Sequence, residues 1–167
     1  MPRRLIHRHA PHMPWPDWLK AGVGAGSAFA VVALLGDVTS ASMIMAPMGA
    51  AAVLIYGMPE SPVSQPAHVV GGNMIAAVLA LIVDQTLPHE AWVIAVTMMA
   101  VIALLGVLRL THPPAGATAL VVLLTHPTWW FLLTPVLSGT VTLVLVAMVV
   151  HRIPRRRVYP LPVHPKT

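Results

Sequence analysis

Between Ala21 and Val150 only five side chains carry a formal charge: Asp37, Glu60, Asp84, Glu90 and Arg109. Apolar runs of about 20 residues recur along this stretch, the length a helix needs to cross a hydrocarbon core of about 30 Å. Of the 167 residues, 9% are charged and 57% hydrophobic, whereas a soluble domain is about 25% charged. The expected fold is therefore all-α, a polytopic transmembrane helical bundle.

The net charge of +5 does not point to nucleic acid. Nine of the ten basic residues sit at the two ends: Arg3, Arg4, Arg8, Lys20, Arg152, Arg155, Arg156, Arg157 and Lys166. Basic ends on an apolar body follow the positive-inside rule, which places both termini in the cytoplasm. Residues 1–16 read as a cytoplasmic basic arm and 153–167 as a cytoplasmic basic tail. The arm lacks the apolar core and cleavage site of a signal peptide, so the first span is expected to remain as an anchor. His7, His9 and His12 lie in the arm without acidic partners and are read as solvated. With no cysteine, disulfides and thiolate metal sites are excluded.

Six apolar segments follow in order. The first runs from about Asp17 to Gly36, with a small-residue face at Gly22, Gly24, Gly26 and Ser27 that permits close helix approach. The second, Ser40–Gly57, is short and broken by Pro47 and Gly49. The third covers about Ala67–Thr86, the fourth Ala91–Leu108 and the sixth Phe131–Val150. The fifth begins in Leu110-Thr111-His112-Pro113-Pro114-Ala115-Gly116-Ala117-Thr118. Proline is favoured at the first helical position, and the residue before it is extended, so a helix is expected from Pro113 or Pro114 to about Leu124. The amides of Ala115, Gly116 and Ala117 are expected to point back towards His112. A helix start of this kind carries roughly half a positive charge and attracts anions.

The second and fifth segments share a pattern. Pro47-Met48-Gly49-Ala50 aligns with Pro114-Ala115-Gly116-Ala117 at an offset of 67 residues, which divides the chain into pseudo-repeats, about 17–86 and 88–152. Six crossings would invert the second half relative to the first. The competing topology makes both short segments re-entrant, leaving four crossings. Pro- and Gly-broken segments at matching positions of two halves point to a transporter's binding site near the midplane. Two opposed helix starts could together offset roughly one monovalent anion.

The stretch His112-Pro113-Pro114-Ala115-Gly116-Ala117-Thr118-Ala119-Leu120 resembles the HPP family of integral membrane proteins. The likeness extends to Ala46-Pro47-Met48-Gly49-Ala50, and to Ser61-Pro62-Val63-Ser64-Gln65-Pro66 followed by Gly71-Gly72. It covers residues 17–152, the transmembrane HPP domain. Members in cyanobacteria and plastids are linked to nitrite transport, so the resemblance implies passage of a small inorganic anion. A bacterial inner-membrane location is expected on the same basis.

The residues expected to line the substrate path are His112, Pro113, Pro114, Ala115, Gly116, Ala117 and Thr118, with Pro47, Met48, Gly49, Ala50 and Asn73. His112 is read as a pore ligand or proton carrier, against a role in fixing the helix start. Gly49 and Gly116 either open backbone amides or let helices touch. Thr118 either faces the cavity or bonds within its helix. Ser64, Gln65 and Asn73 either line a vestibule or are solvated. Met43, Met45 and Met48 could suit Cu(I) but are read as apolar filler. Asp84 is read as solvated, and His126 is given no role.

The expected function is a channel or transporter for a small monovalent anion, nitrite first, then formate, nitrate or chloride. No cofactor, metal or catalytic residue is expected, and the glycine-rich first span suits a homo-oligomer. Two alternatives stand beside it. One is a non-transporting scaffold, marked by dry, tight packing around His112. The other is an intramembrane enzyme using His112 as general base, for which no partner motif appears.

Overall fold

The computed structural model describes residues 13–39, 43–153 and 157–162. The arm with His7, His9 and His12 lies outside the described residues, as do Arg155, Arg156 and Lys166. Every described element is helical, in six longer segments and a short 3-10 turn at Pro62–Ser64. α1 is Trp15–Thr39, α2 Ala46–Gly57, α3 Ala67–Thr86, α4 Ala91–Val107, α5 Pro113–Thr125 and α6 Leu132–Val150. α1, α3 and α6 are long and apolar enough to cross a membrane, while α2, α4 and α5 are shorter.

Local chemistry accounts for the boundaries. Pro113 and Pro114 open α5 behind an extended His112 (φ −138°, ψ 106°), as expected for a residue that precedes proline. α4 closes through Arg109, whose φ of 56° is left-handed, and the Leu110 N–H turns back to the Leu105 carbonyl at 2.9 Å. That is the helix-ending turn in which a left-handed residue satisfies leftover carbonyls. α6 is not continuous: Thr134, ahead of Pro135, is extended (φ −138°, ψ 113°), and regular helix begins at Ser138. The sequence reading had no break there.

The hydrogen bonds fix which ends of the helices lie together. At one end, His112 meets the Val63 carbonyl, His68 meets Thr111, and His151 meets Ile55. Arg157 pairs with Asp17 at the same end. At the other, Asp84 meets His126 and Trp129 meets Gln85. α3 and α5 therefore run parallel, with α4 and α6 opposed to them. The chain passes from one end of the bundle to the other six times, and neither short segment turns back to the end it came from.

Small residues line the contacts. Ala28, Ala76, Ala77, Ala80, Ala119 and Ala147 are wholly buried, and a missing side chain lets helix backbones approach. The glycines of α1 divide in their roles. A Cβ on Gly24 would meet Tyr56 and Val150, whereas Gly22 and Gly26 face open space. Outward positions carry large apolar groups such as Val23, Leu34, Met99, Ile102 and Val107, as a lipid-facing surface requires. Trp15, Trp18, Trp92, Trp129 and Trp130 are exposed at helix ends, where indoles favour the membrane interface.

Residues 157–162 are docked rather than a free tail. The Tyr159 hydroxyl donates to the Ser64 carbonyl at 3.1 Å, and the Leu161 N–H to Gln65 Oε1 at 2.8 Å. Burial pushes the Tyr159 phenol pKa up, so it remains a proton donor. Ser64 and Gln65 consequently do not line a vestibule. Ser64 is fully buried with its hydroxyl on the Leu54 carbonyl, and the Gln65 amide binds Pro59 and Ser61 carbonyls.

Candidate functional site

His112 caps α5 and is 1% exposed. Its Nδ1 lies 2.8 Å from the Val63 carbonyl. A carbonyl only accepts, so Nδ1 carries the proton and the neutral ring holds a lone pair at Nε2. Nε2 is buried and has no hydrogen-bond partner. A buried polar atom left unpaired costs about 1–3 kcal/mol, so it calls for an explanation. His112 is one of the residues lining a recess of about 320 Å³, with Thr111, Pro113, Gly116, Ala117 and Met98 among others. Four of the expected path residues besides His112 were Pro114, Ala115, Thr118 and Asn73; these face away from the recess and into the core.

The backbone amides do not behave as expected. The Ala115 N–H donates to the His112 carbonyl at 2.9 Å. Pro113 and Pro114 have no N–H, and Gly116 and Ala117 stand beyond the positions left unbonded at a helix start. The double proline thus removes most free donors from the start of α5. The helix dipole remains, and the polar atom available there is the imidazole.

Asn73 and Thr118 form a buried pair between α3 and α5. The Thr118 hydroxyl donates to Asn73 Oδ1, and Asn73 Nδ2 donates to the Val69 carbonyl at 2.7 Å. Asn73 is 2% exposed, neither a solvated loop residue nor a vestibule lining. Behind it, Gly72 lies where an added Cβ would meet the Leu110 carbonyl at 2.8 Å and His112 Cβ at 3.1 Å. Only glycine lets α3 sit this close to the turn that presents His112.

The start of α2 has the same shape. Met45 is extended, and the Met48 N–H donates to the Met45 carbonyl at 3.0 Å, matching Ala115 and His112 at the same offset of 67. A Cβ on Gly139 would meet the Met48 thioether, as one on Gly72 would meet the turn around His112. Ala46–Ala52 packs on α5. Pro47 and Met48 are buried, Gly49 is half-buried and Ala50 exposed. Gly49 lines a second recess, about 290 Å³, between α1 and α2 with Gly22, Ala25 and Tyr56.

The motifs at His112 and Ser61–Gly72 thus meet at the start of α5, and the comparison with known families decides their affiliation. Residues 10–160 match the family model described as HPP, transmembrane region. The chain belongs to the HPP transmembrane family. Two transmembrane proteins of Dictyostelium discoideum are similar to it. One is 33% identical over 129 residues, covering 71% of this chain and 45% of the relative. The other is 32% identical over 126 residues, covering 71% and 40%. This HPP chain therefore spans less than half the length of these relatives. No solved structure gives a match.

One cluster in this HPP protein escaped the sequence reading. Asp84 at the end of α3, His89 in the following loop and His126 after α5 bring three potential ligand atoms within 4.8 Å of one another. The signal that could have found them is topological. Six end-to-end passes put the α3–α4 and α5–α6 loops at the same end, although 42 residues separate Asp84 from His126.

Proposed function

We propose that the protein is a membrane channel or transporter for a small monovalent inorganic anion, with nitrite the first candidate. The observation that carries this reading is the buried, unpartnered Nε2 of His112 at the start of α5. With Nδ1–H committed to Val63, neutral His112 offers an anion only a repelling lone pair. Protonated His112 offers an N–H donor aided by the helix dipole. Anion and proton therefore arrive together as a net-neutral pair, the form best tolerated in an apolar interior.

The recurrence of the same turn, the same proline and the same glycine contact 67 residues apart supports an inverted repeat with both short helices near the middle of the membrane. The segment ends rich in Arg and Lys are placed in the cytoplasm of a bacterial cell, and all six segments are read as crossing. The open Gly22–Gly26 face of α1 suits a second copy of the chain. The protein is read as a non-enzyme, since the hydrogen bond of His112 goes to a backbone carbonyl rather than to a second acid or base.

A second reading, a non-transporting scaffold, is favoured by the dry packing of His112, Asn73 and Thr118. Flux into proteoliposomes separates the two. Nitrite, formate, nitrate and chloride are each offered between pH 5 and 8 to wild type and His112→Ala. Transport predicts uptake that rises as pH falls and drops at least about tenfold on substitution. Uptake flat across pH would sink the proton coupling. Zero flux of every anion through folded protein would leave the scaffold.

A further inference from the structure

The end of the bundle remote from His112 carries a second set of polar groups, independent of the anion reading. Asp84 Oδ1 lies 2.6 Å from His126 Nδ1 and 3.3 Å from His89 Nε2. The two imidazoles stack with centroids 3.9 Å apart. The Asp84 side chain is 7% exposed, while those of His89 and His126 are 56% and 43% exposed. A carboxylate thus sits at the floor of a recess of about 160 Å³, with two imidazoles and Glu90 at its rim.

We propose that Asp84, His89 and His126 form a divalent transition-metal site, best suited to Zn2+. Two nitrogens and one carboxylate oxygen are a donor set that Zn2+ accepts, leaving a fourth position for water. With metal–ligand bonds of about 2.0–2.2 Å, tetrahedral ligands stand about 3.3 Å apart. The Asp84–His89 spacing already meets this. The Asp84–His126 pair opens by about 0.7 Å as its hydrogen bond gives way to the metal. His89 Nε2 now also lies 3.1 Å from the Asp84 carbonyl, so binding moves its proton to Nδ1 and frees Nε2 to ligate.

The backbone supports the arrangement. His126 is left-handed (φ 48°, ψ 53°), and its N–H caps α5 on the Val122 carbonyl. A few residue types tolerate this conformation, histidine and asparagine among them. Beside it, Trp129 Nε1 donates to Gln85 Oε1 at 3.0 Å, holding the two loops together before any metal arrives. An ordinary cap on α5 would not need a second imidazole from another loop aimed at the same oxygen.

The test uses the untagged full chain in detergent, stripped with chelator and titrated with Zn2+ while the unfolding midpoint and bound metal are followed. The site predicts one Zn2+ per chain, a midpoint that rises with Zn2+, and at least about tenfold weaker binding in Asp84→Asn, His89→Gln and His126→Asn. His126→Asn retains the left-handed turn, and each variant's metal-free midpoint reports its folding. A His7→Ala/His9→Ala/His12→Ala variant should bind as wild type does. No Zn2+ dependence in wild type overturns the site. So does binding that survives the His89→Gln/His126→Asn double variant and disappears with the three amino-terminal substitutions.

Discussion

The starts of α2 and α5 share a backbone and differ in chemistry. Each has an extended cap, a proline, a tight turn closed by the amide three residues on, and a glycine of a neighbouring helix pressed against it. At α2 the positions are Met45, Met48 and Ala51, with Gly139 against Met48 and Thr140 next to it in sequence. At α5 they are His112, Ala115 and Thr118, facing Gly72 and Asn73. One start is sealed by a flexible thioether; the other is closed by hydrogen bonds that leave one imidazole nitrogen bare. The same backbone thus carries an apolar contact in one half and a polar one in the other, and the difference lies in four pairs of side chains, Met45/His112, Met48/Ala115, Ala51/Thr118 and Thr140/Asn73.

The glycine contacts test that comparison most severely. Gly72→Ala drives a Cβ into the Leu110 carbonyl, a backbone atom that cannot move without displacing the His112 turn. Gly139→Ala meets the far end of Met48, an adaptable side chain. Expected losses are about 3 kcal/mol for Gly72→Ala and about 1 kcal/mol for Gly139→Ala, read from denaturation in detergent. Equal losses would mean that the two starts are held with the same stiffness.

The hydroxyls come next. Thr118→Val strips Asn73 Oδ1 of its donor inside the bundle and should cost about 1–2 kcal/mol. Adding Asn73→Leu should recover part of it. Thr140→Val removes a hydroxyl whose hydrogen bonds stay within α6, to Val136 and Leu137 carbonyls, and should cost about 0.5 kcal/mol or less. A larger effect at Thr140 would break the contrast between a polar and an inert half.

The smallest effect concerns His151, at the end of α6. His151 donates from Nε2 to the Ile55 carbonyl, and burial lowers its pKa from 6.5. Unfolding restores the ordinary value, so below pH 6.5 the unfolded chain binds more protons and stability falls as pH drops. His151→Gln should flatten the midpoint-against-pH curve between pH 6.5 and 5.5 relative to wild type. An unchanged slope would remove His151 from the acid response.

The bundle was legible in the sequence because its cause is local. Apolar length, prolines at helix starts and tryptophans at helix ends can all be read one segment at a time, and the α5 boundaries came out within a residue. His112 was legible as an ionisable residue among apolar ones. What was hidden depends on packing between distant segments. The Val63 carbonyl that fixes the His112 tautomer, the inward turn of Asn73 and the docking of Tyr159 on Ser64 are set by tertiary contacts. The Asp84–His89–His126 cluster needed the topology first. The break at Thr134 was missed for another reason: the neighbouring Pro135 was absorbed into an apolar run long enough to read as unbroken.

The docked segment 157–162 has a consequence for the order of assembly. Tyr159 reaches back 95 residues to the loop whose Val63 carbonyl orients His112, and Arg157 reaches back 140 to Asp17. During synthesis the 58–66 loop is therefore complete in sequence long before it is complete in structure. The contacts to Ser64 and Asp17 form only once residues 157–162 have emerged, so the six helices can be inserted before this end of the bundle is closed.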